Sequence, residues 1–147
     1  MTTTLTNSQL LDQFNLHAQL EPEAMEAVID FTGHSLQRQG DVMLVKQTDV
    51  EKVATTLVEA NGIAVVSSEA KQGNTHILHA YEGKVYFDAN THLLQNERVV
   101  YGLLTVEEGS TAVLIHTGEH PALGVTAGNY LVLGQVEGAT EIRRVAD

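Results

Sequence analysis

Four of the seven histidines in this chain lie in two short segments, and their spacing suggests chemistry. His76 and His79 belong to one segment, His116 and His120 belong to the other, and each segment adjoins an apolar run typical of a strand. Imidazole is the commonest protein ligand for a borderline metal and the one side chain that titrates near neutral pH. If the two segments meet in space, they predict either a metal site or an acid/base site.

The metal hypothesis groups four histidines around one divalent ion such as Zn, Fe or Mn, with a carboxylate as an extra ligand or base. The histidines are His76, His79, His116 and His120, and the carboxylate is Glu119 or Glu82. A cupin-like barrel is the natural host, because its strands deliver ligands to the interior. However, side chains three positions apart point to opposite faces of a regular strand, so His76 and His79 need a bulge to share an ion. The alternative is that these histidines are turn or surface residues.

Composition limits the kinds of protein that this chain can be. A length of 147 residues with 43% hydrophobic residues fits one globular domain with a real core. The absence of cysteine excludes disulfides, thiolate metal sites and a cysteine nucleophile. The formal net charge of −11 argues against binding to nucleic-acid phosphates, so the expected partner is another protein or a second copy of the chain.

The sequence also predicts where the protein resides. No apolar run is long enough to span a membrane, and the segment Met1–Thr6 lacks the basic and apolar regions of a secretory signal. We therefore expect no membrane association, and a location in the cytoplasm or in a virion.

The elements that would position the histidines follow from the hydrophobic pattern. The repeat of Leu10, Leu11 and Phe14 predicts helix over residues 7–32, capped at Asn7 or Ser8, with a second helix beginning near Pro22. Residues 49–60 fit either a helix or a strand. These features predict an N-terminal helical extension over residues 1–37.

Residues 38–147 are predicted to form a β domain. The strand candidates are Asp41–Val45, Ile63–Val66, His76–Ala80, Lys84–Phe87, Val99–Val106, Ala112–His116 and Tyr130–Val136. Glycine-bearing turns such as Glu82-Gly83 and Glu108-Gly109 separate several of them. Short strands with such turns predict a mainly β fold, a small barrel or a sandwich, closed or nearly so over residues 38–137.

Three segments together resemble a group of small bacterial and phage proteins of uncharacterised function. They are the QGDV-type strand at Gln39–Val42, the GHxH-like turn that ends at His76, and the HxxHxP…GxYxVxxQxE region from His116 to Glu137. The resemblance covers roughly residues 38–137. The chain departs from that pattern at Asn74, at Thr126 and in the three residues that separate His116 from His120. The resemblance implies a shared β fold and an association with phages, but no activity.

Two functions are compatible with these observations. The first is a non-enzymatic structural or interaction module that forms oligomers or binds a protein, such as a capsid-decorating accessory of a phage virion. The alternative is a small metal-dependent enzyme with a cupin-like histidine site. Because the sequence shows no complete catalytic constellation, it favours the first.

Overall fold

A computed structural model of the protein describes residues 5–16, 20–48, 53–65, 76–89, 94–95, 98–116 and 120–134. The described chain begins with two short helices, α1 (Asn7–Gln13) and α2 (Pro22–Glu26). They are followed by the strands β1 (Leu36–Gln39), β2 (Val42–Gln47), β3 (Ile63–Ala64), β4 (His76–Glu82), β5 (Val85–Ala89), β6 (Leu94–Gln95), β7 (Arg98–Val106), β8 (Thr111–His116), β9 (Leu123–Val125) and β10 (Gly128–Gly134). None of the helices described is long and apolar enough to cross a membrane.

The N-terminal helices are shorter than the sequence predicted. Helix α1 is capped by Thr6 rather than by Asn7 or Ser8, through a capping box with Gln9. It ends at Gln13, and the positive φ of 56° at Asn15 is incompatible with a continuing right-handed helix. Helix α2 begins at Pro22 as expected but ends at Glu26. The prediction of helix over residues 7–32 is therefore wrong for the described residues between the two helices and for those after Glu26. Residues 17–19 lie outside the described residues.

The larger sheet is antiparallel and runs in the order β1-β2-β10-β7-β5, with β6 paired to β7. Strands β1 and β2 form a hairpin in which Gln39 pairs with Val42. Gly40 makes this two-residue turn possible, because its φ of 57° is a left-handed value that costs glycine little. Strand β2 pairs with β10, so the predicted proximity of the Met43–Val45 run to the Tyr130 strand is confirmed.

The smaller sheet has the order β3-β4-β8-β9 and packs against the larger one. The two sheets share one core, to which Leu44, Phe87 and Val132 contribute from the larger sheet and Leu78 and Leu114 from the smaller. The mainly β prediction is confirmed, and the arrangement is that of a sandwich. The prediction of a closed or nearly closed β domain is wrong, because the strands form two separate sheets.

The N-terminal segment covers the outer face of the smaller sheet. Leu10, Leu11 and Ile29 form a second buried cluster with Val113 and Ile115 of β8. The buried Asn7 side chain joins the parts of this layer, since it donates to the carbonyl oxygens of residues 24 and 27 and accepts a bond from the amide of residue 122. The apolar stripe of α1 therefore packs on the β domain of its own chain.

The segment at residues 53–60 is neither a regular helix nor a strand, and residues 49–52 lie outside the described residues. Leu57 makes an isolated antiparallel bridge to Tyr86 of β5. The Val58 amide donates to the Val85 carbonyl, and the Phe87 amide donates to the Thr56 carbonyl. This segment thus runs along β5 at the edge of the larger sheet.

Candidate histidine site

His76 and His116 lie directly opposite each other in the smaller sheet. They are the first residue of β4 and the last residue of β8, and the antiparallel register pairs them. Cross-strand partners share a face, and this face also carries Leu78 and Leu114 of the central core. Both imidazoles are almost fully buried, and their ring centroids are 4.5 Å apart with the planes at 63°. The sheet register therefore brings together two histidines that are 40 positions apart in the sequence.

His120 extends this pair toward the surface. Its ring centroid lies 4.9 Å from that of His116, with the planes at 71°, and the residue is half-buried. The three rings form a row from the buried His76 through His116 to His120. The prediction that the two histidine segments meet in space is confirmed for these three residues.

Gln39 ties the row to the larger sheet. Its side chain is buried, and its amide nitrogen donates to the carbonyl oxygens of Leu114 and Pro121, each at 2.9 Å. Its amide oxygen lies 2.9 Å from Nδ1 of His76. One side chain at the end of β1 therefore contacts β4, β8 and the residue that follows His120.

These contacts favour one tautomer of neutral His76. Two carbonyl acceptors orient the Gln39 amide, because only its nitrogen can donate to them. Its oxygen then faces Nδ1 of His76 as an acceptor, so Nδ1 must carry a proton. In its neutral form an imidazole has one N–H, so the lone pair of neutral His76 is then on Nε2. Histidines that bind metals through Nε2 are commonly held in this way, with Nδ1–H donating to an oxygen.

His79 does not belong to this site. The register between β4 and β8 is regular from His76 to His79 and shifts only after Ala80, so the bulge that a shared site required is absent there. His79 pairs with Val113 on the opposite face and stacks on Phe14, with centroids 4.1 Å apart. Burial lowers the pKa of His79, and the Ala60 backbone opposes that shift only in part. The structure therefore does not bring His79 to the other three predicted ligands.

Of the two predicted carboxylates, the structure describes Glu82, which lies far from the histidines. Glu82 ends β4 six residues after His76, roughly 20 Å along the strand, where it accepts a bond from the Thr111 hydroxyl. Glu119 lies outside the described residues. Within the described part of the chain, no three His, Asp or Glu side chains form a group that could hold a metal ion. The predicted metal ion therefore stays a prediction, with His76 and His116 as the pair that the fold holds in place.

A second polar surface lies nearby, in a cleft of about 350 Å³ between residues 30–38 and β9. Here the exposed Asp30 accepts bonds from the Thr32 amide and from Nε2 of His34. Hydrogen bonds from Thr32 and His34 lower the pKa of Asp30 to about 2. Because these contacts span only four residues, we assign them to shaping the turn before β1. The other isolated histidines, His17 and His92, lie outside the described residues.

Sequence reasoning missed Gln39, although Gln39 belongs to the QGDV-type segment. In that segment Asp41 is the more conspicuous residue, because a carboxylate has the more obvious chemistry. The available signal was that the QGDV-type segment, the turn ending at His76 and the segment from His116 to Pro121 are the three places where the resemblance is dense. In the structure these segments meet at the side chain of Gln39.

Comparison with known proteins gives a family and no function. Residues 38–135 match a family described as "Domain of unknown function (DUF8820)". No curated protein and no solved structure matches the chain. The matched region contains every strand from β2 to β10 together with the three clustered histidines.

Proposed function

This chain belongs to the DUF8820 family, and we propose that it binds a divalent transition-metal ion through His76 and His116, with His120 as a third ligand. The observation that carries the proposal is the row of imidazoles, with centroids 4.5 and 4.9 Å apart at one end of the sandwich. Of the two functions compatible with the sequence, this favours the small metal-dependent enzyme with a cupin-like site. In such a site, too, ligands project from strands into the space between two sheets.

The ligand set selects the class of metal. Imidazole nitrogen suits Zn, Cu, Fe and Ni, whereas Mg and Ca prefer oxygen ligands. The described site offers nitrogen from three side chains and no carboxylate. We therefore propose a borderline ion such as zinc, with the His120 ring turning toward the buried pair on binding and with water completing the coordination.

Calorimetric titration of tag-free protein, freed of metal by chelation, tests this proposal. We expect one zinc ion per chain, no measurable heat with magnesium, and an apparent affinity that falls as the pH drops below about 6.5, where protons compete for imidazole. The variant His116→Ala should lose zinc binding. The variant His34→Ala removes an exposed histidine outside the row and should bind as the wild type does. Equal affinity in the two variants, or no zinc binding by the wild type, would refute the proposal.

The second candidate function is a non-enzymatic interaction module, for which a phage virion accessory is the proposed setting. The supporting observation is the segment along β5, where Val53 and Leu57 are 51% and 50% exposed. Exposed apolar side chains on a strand-like edge are suited to contact with another chain. If the protein self-associates through this segment, changing both residues to Glu should lower the molecular mass measured by light scattering. Leu36→Glu, on the opposite edge of the same sheet, is the control.

A further inference from the structure

We infer that Gln39 is the positioning residue of the histidine site, which sets the tautomer of His76 and with it the nitrogen that can bind a metal. The inference rests on the proposed function, because the tautomer of His76 affects metal binding only if the site binds a metal. Its structural content is independent of that site, because the contact joins two side chains of the protein itself.

The first step of the argument is the direction of the amide. If the Gln39 amide were reversed, its oxygen would face the carbonyl oxygens of Leu114 and Pro121, which are both acceptors. The bond to Leu114, which is buried, and the bond to Pro121, which is partly buried, would then both be lost, and the loss of a buried hydrogen bond destabilises the folded chain. The observed orientation, with nitrogen 2.9 Å from both carbonyl oxygens, is therefore strongly preferred.

The second step is the consequence for His76. The amide oxygen of Gln39 can only accept, so it stabilises the His76 ring when Nδ1 is protonated. Burial strengthens this preference, since a buried acceptor that faces a lone pair is costly. Gln39 thereby holds the His76 lone pair on Nε2 and restrains rotation of the ring.

The third step is the place of Gln39 in the fold. It stands at the end of β1, on the sheet opposite the one that carries His76 and His116. Its amide contacts β4, β8 and Pro121 next to His120. One side chain thus contacts the imidazole of His76 and the backbone near His116 and His120, which restrains their relative positions. Such partners of metal-binding histidines typically contribute 10- to 100-fold to metal affinity.

Gln37 provides a matched control on the same strand. It lies two positions before Gln39, hence on the same side of β1. Its amide nitrogen also donates to a carbonyl oxygen of the smaller sheet, that of Gly124 at 2.9 Å. The two glutamines therefore make the same kind of contact between the sheets, but among the hydrogen bonds of the described residues it is the Gln39 side chain, and not that of Gln37, that reaches a histidine.

The decisive measurement is the tautomer of His76 in metal-free, nitrogen-15-labelled protein above pH 7.5, read from the two-bond couplings of the ring nitrogens. We expect protonated Nδ1 in the wild type and in Gln37→Met, and a mixture of tautomers in Gln39→Met. A wild-type His76 protonated at Nε2 overturns the inference even if Gln39→Met fails to fold. So does a fixed Nδ1–H tautomer in folded Gln39→Met.

Zinc titration of the same three proteins tests whether the contact between Gln39 and His76 increases the affinity for a metal. We expect Gln39→Met to bind zinc about 10- to 100-fold more weakly than the wild type, and Gln37→Met to bind it with unchanged affinity. If the wild type binds no zinc, the proposed function fails while the tautomer measurement still decides the role of Gln39. Equal zinc affinity in the wild type and folded Gln39→Met overturns the positioning role.

Discussion

His79 and Phe14 are stacked, with ring centroids 4.1 Å apart and planes inclined by 29°. Phe14 is the residue at the C-terminal cap of α1, and His79 lies on the outer face of β4. On this face the imidazole is buried, and neither ring nitrogen makes a hydrogen bond of normal geometry within the described residues. His79 therefore acts as an apolar aromatic ring that anchors α1 to the smaller sheet.

This environment predicts that acid weakens the fold through His79. Burial holds the pKa of His79 below its usual value near 6.5 in the folded chain, so at lower pH the unfolded chain binds more protons. The stability that buried, neutral His79 contributes is fully present above about pH 6.5. It is lost as the pH falls from about 6.5 toward the lower pKa of the folded chain. Urea unfolding of the wild type and of His79→Leu at pH 7.5, 6.0 and 5.0 measures the effect.

The comparison isolates His79 because leucine cannot titrate and the other histidines are common to both proteins. We expect the free energy of unfolding to fall more steeply with acid in the wild type than in His79→Leu. Parallel pH profiles for the two proteins would show that His79 does not bind a proton more weakly in the folded chain.

Gly62 is predicted to be intolerant of a side chain because it lies against the same imidazole. A Cβ atom at this position would approach Cε1 of His79 to 2.5 Å, and the backbone φ is +77°. Gly62→Ala should therefore cost roughly 2–5 kcal/mol, from the left-handed backbone and from overpacking together. Gly109 has a similar φ of +82°, but a Cβ atom there would meet nothing within 4 Å, so Gly109→Ala should cost only about 1–2 kcal/mol. Denaturant unfolding of both variants measures the difference, and similar losses would contradict the proposed contact.

The β elements were predictable where apolar runs were bounded by turn residues. The runs around Leu44, Leu114 and Val132 gave strands in the expected places. Strand β1 escaped prediction because its sequence, Leu-Gln-Arg-Gln, is too polar to show an apolar alternation. Strand β9 has only three residues. The predicted helix was too long, because the helical spacing of apolar residues persists for only two turns before Asn15.

Only part of the candidate site was predictable, because local sequence patterns determine the face of a strand on which a side chain lies but not the strands that are its neighbours. The opposite orientation of His76 and His79 follows from the two-residue period of a strand, and the regular register shows it. The pairing of His76 with His116 was only one possibility, because local patterns do not determine which strands are neighbours. The role of Gln39 depends on contacts between two sheets, across 37 and 75 residues of sequence. No local feature of the chain encodes such contacts.

The packing of α1 predicts a large loss of stability from a single truncation. Leu10 is fully buried against the outer face of the smaller sheet. Leu10→Ala should lower the free energy of unfolding by about 2–5 kcal/mol, because it leaves a cavity between helix and sheet. Leu36→Ala, at a position that is 59% exposed, should change it by less than about 0.5 kcal/mol. Thermal and urea unfolding measure both values, and a small loss for Leu10→Ala would mean that α1 contributes little to the folded state.

Asp88 is predicted to fasten the segment that borders β5. Its carboxylate accepts bonds from the amide and hydroxyl of Thr55 and from the amide of Thr56. Burial raises the pKa of Asp88, but these hydrogen bonds outweigh it and hold the pKa below its usual value. In Asp88→Ala, we expect the Thr55 and Thr56 amides to exchange with deuterium about tenfold faster, since a bond to a charged acceptor contributes roughly 1.5 kcal/mol or more.

Glu82→Ala is the control for this experiment, because Glu82 accepts a bond from the Thr111 hydroxyl and is not among the acceptors of Thr55 and Thr56. It should leave exchange at both threonines unchanged. The low pKa of Asp88 gives a second check, because the carboxylate remains charged well into the acid range. Protection of the two amides in the wild type should therefore persist below the pH at which an ordinary aspartate is protonated, and decline only as Asp88 is protonated. Unaltered exchange in Asp88→Ala would show that the bonds to β5 from Thr56 and Val58 hold this segment without the carboxylate.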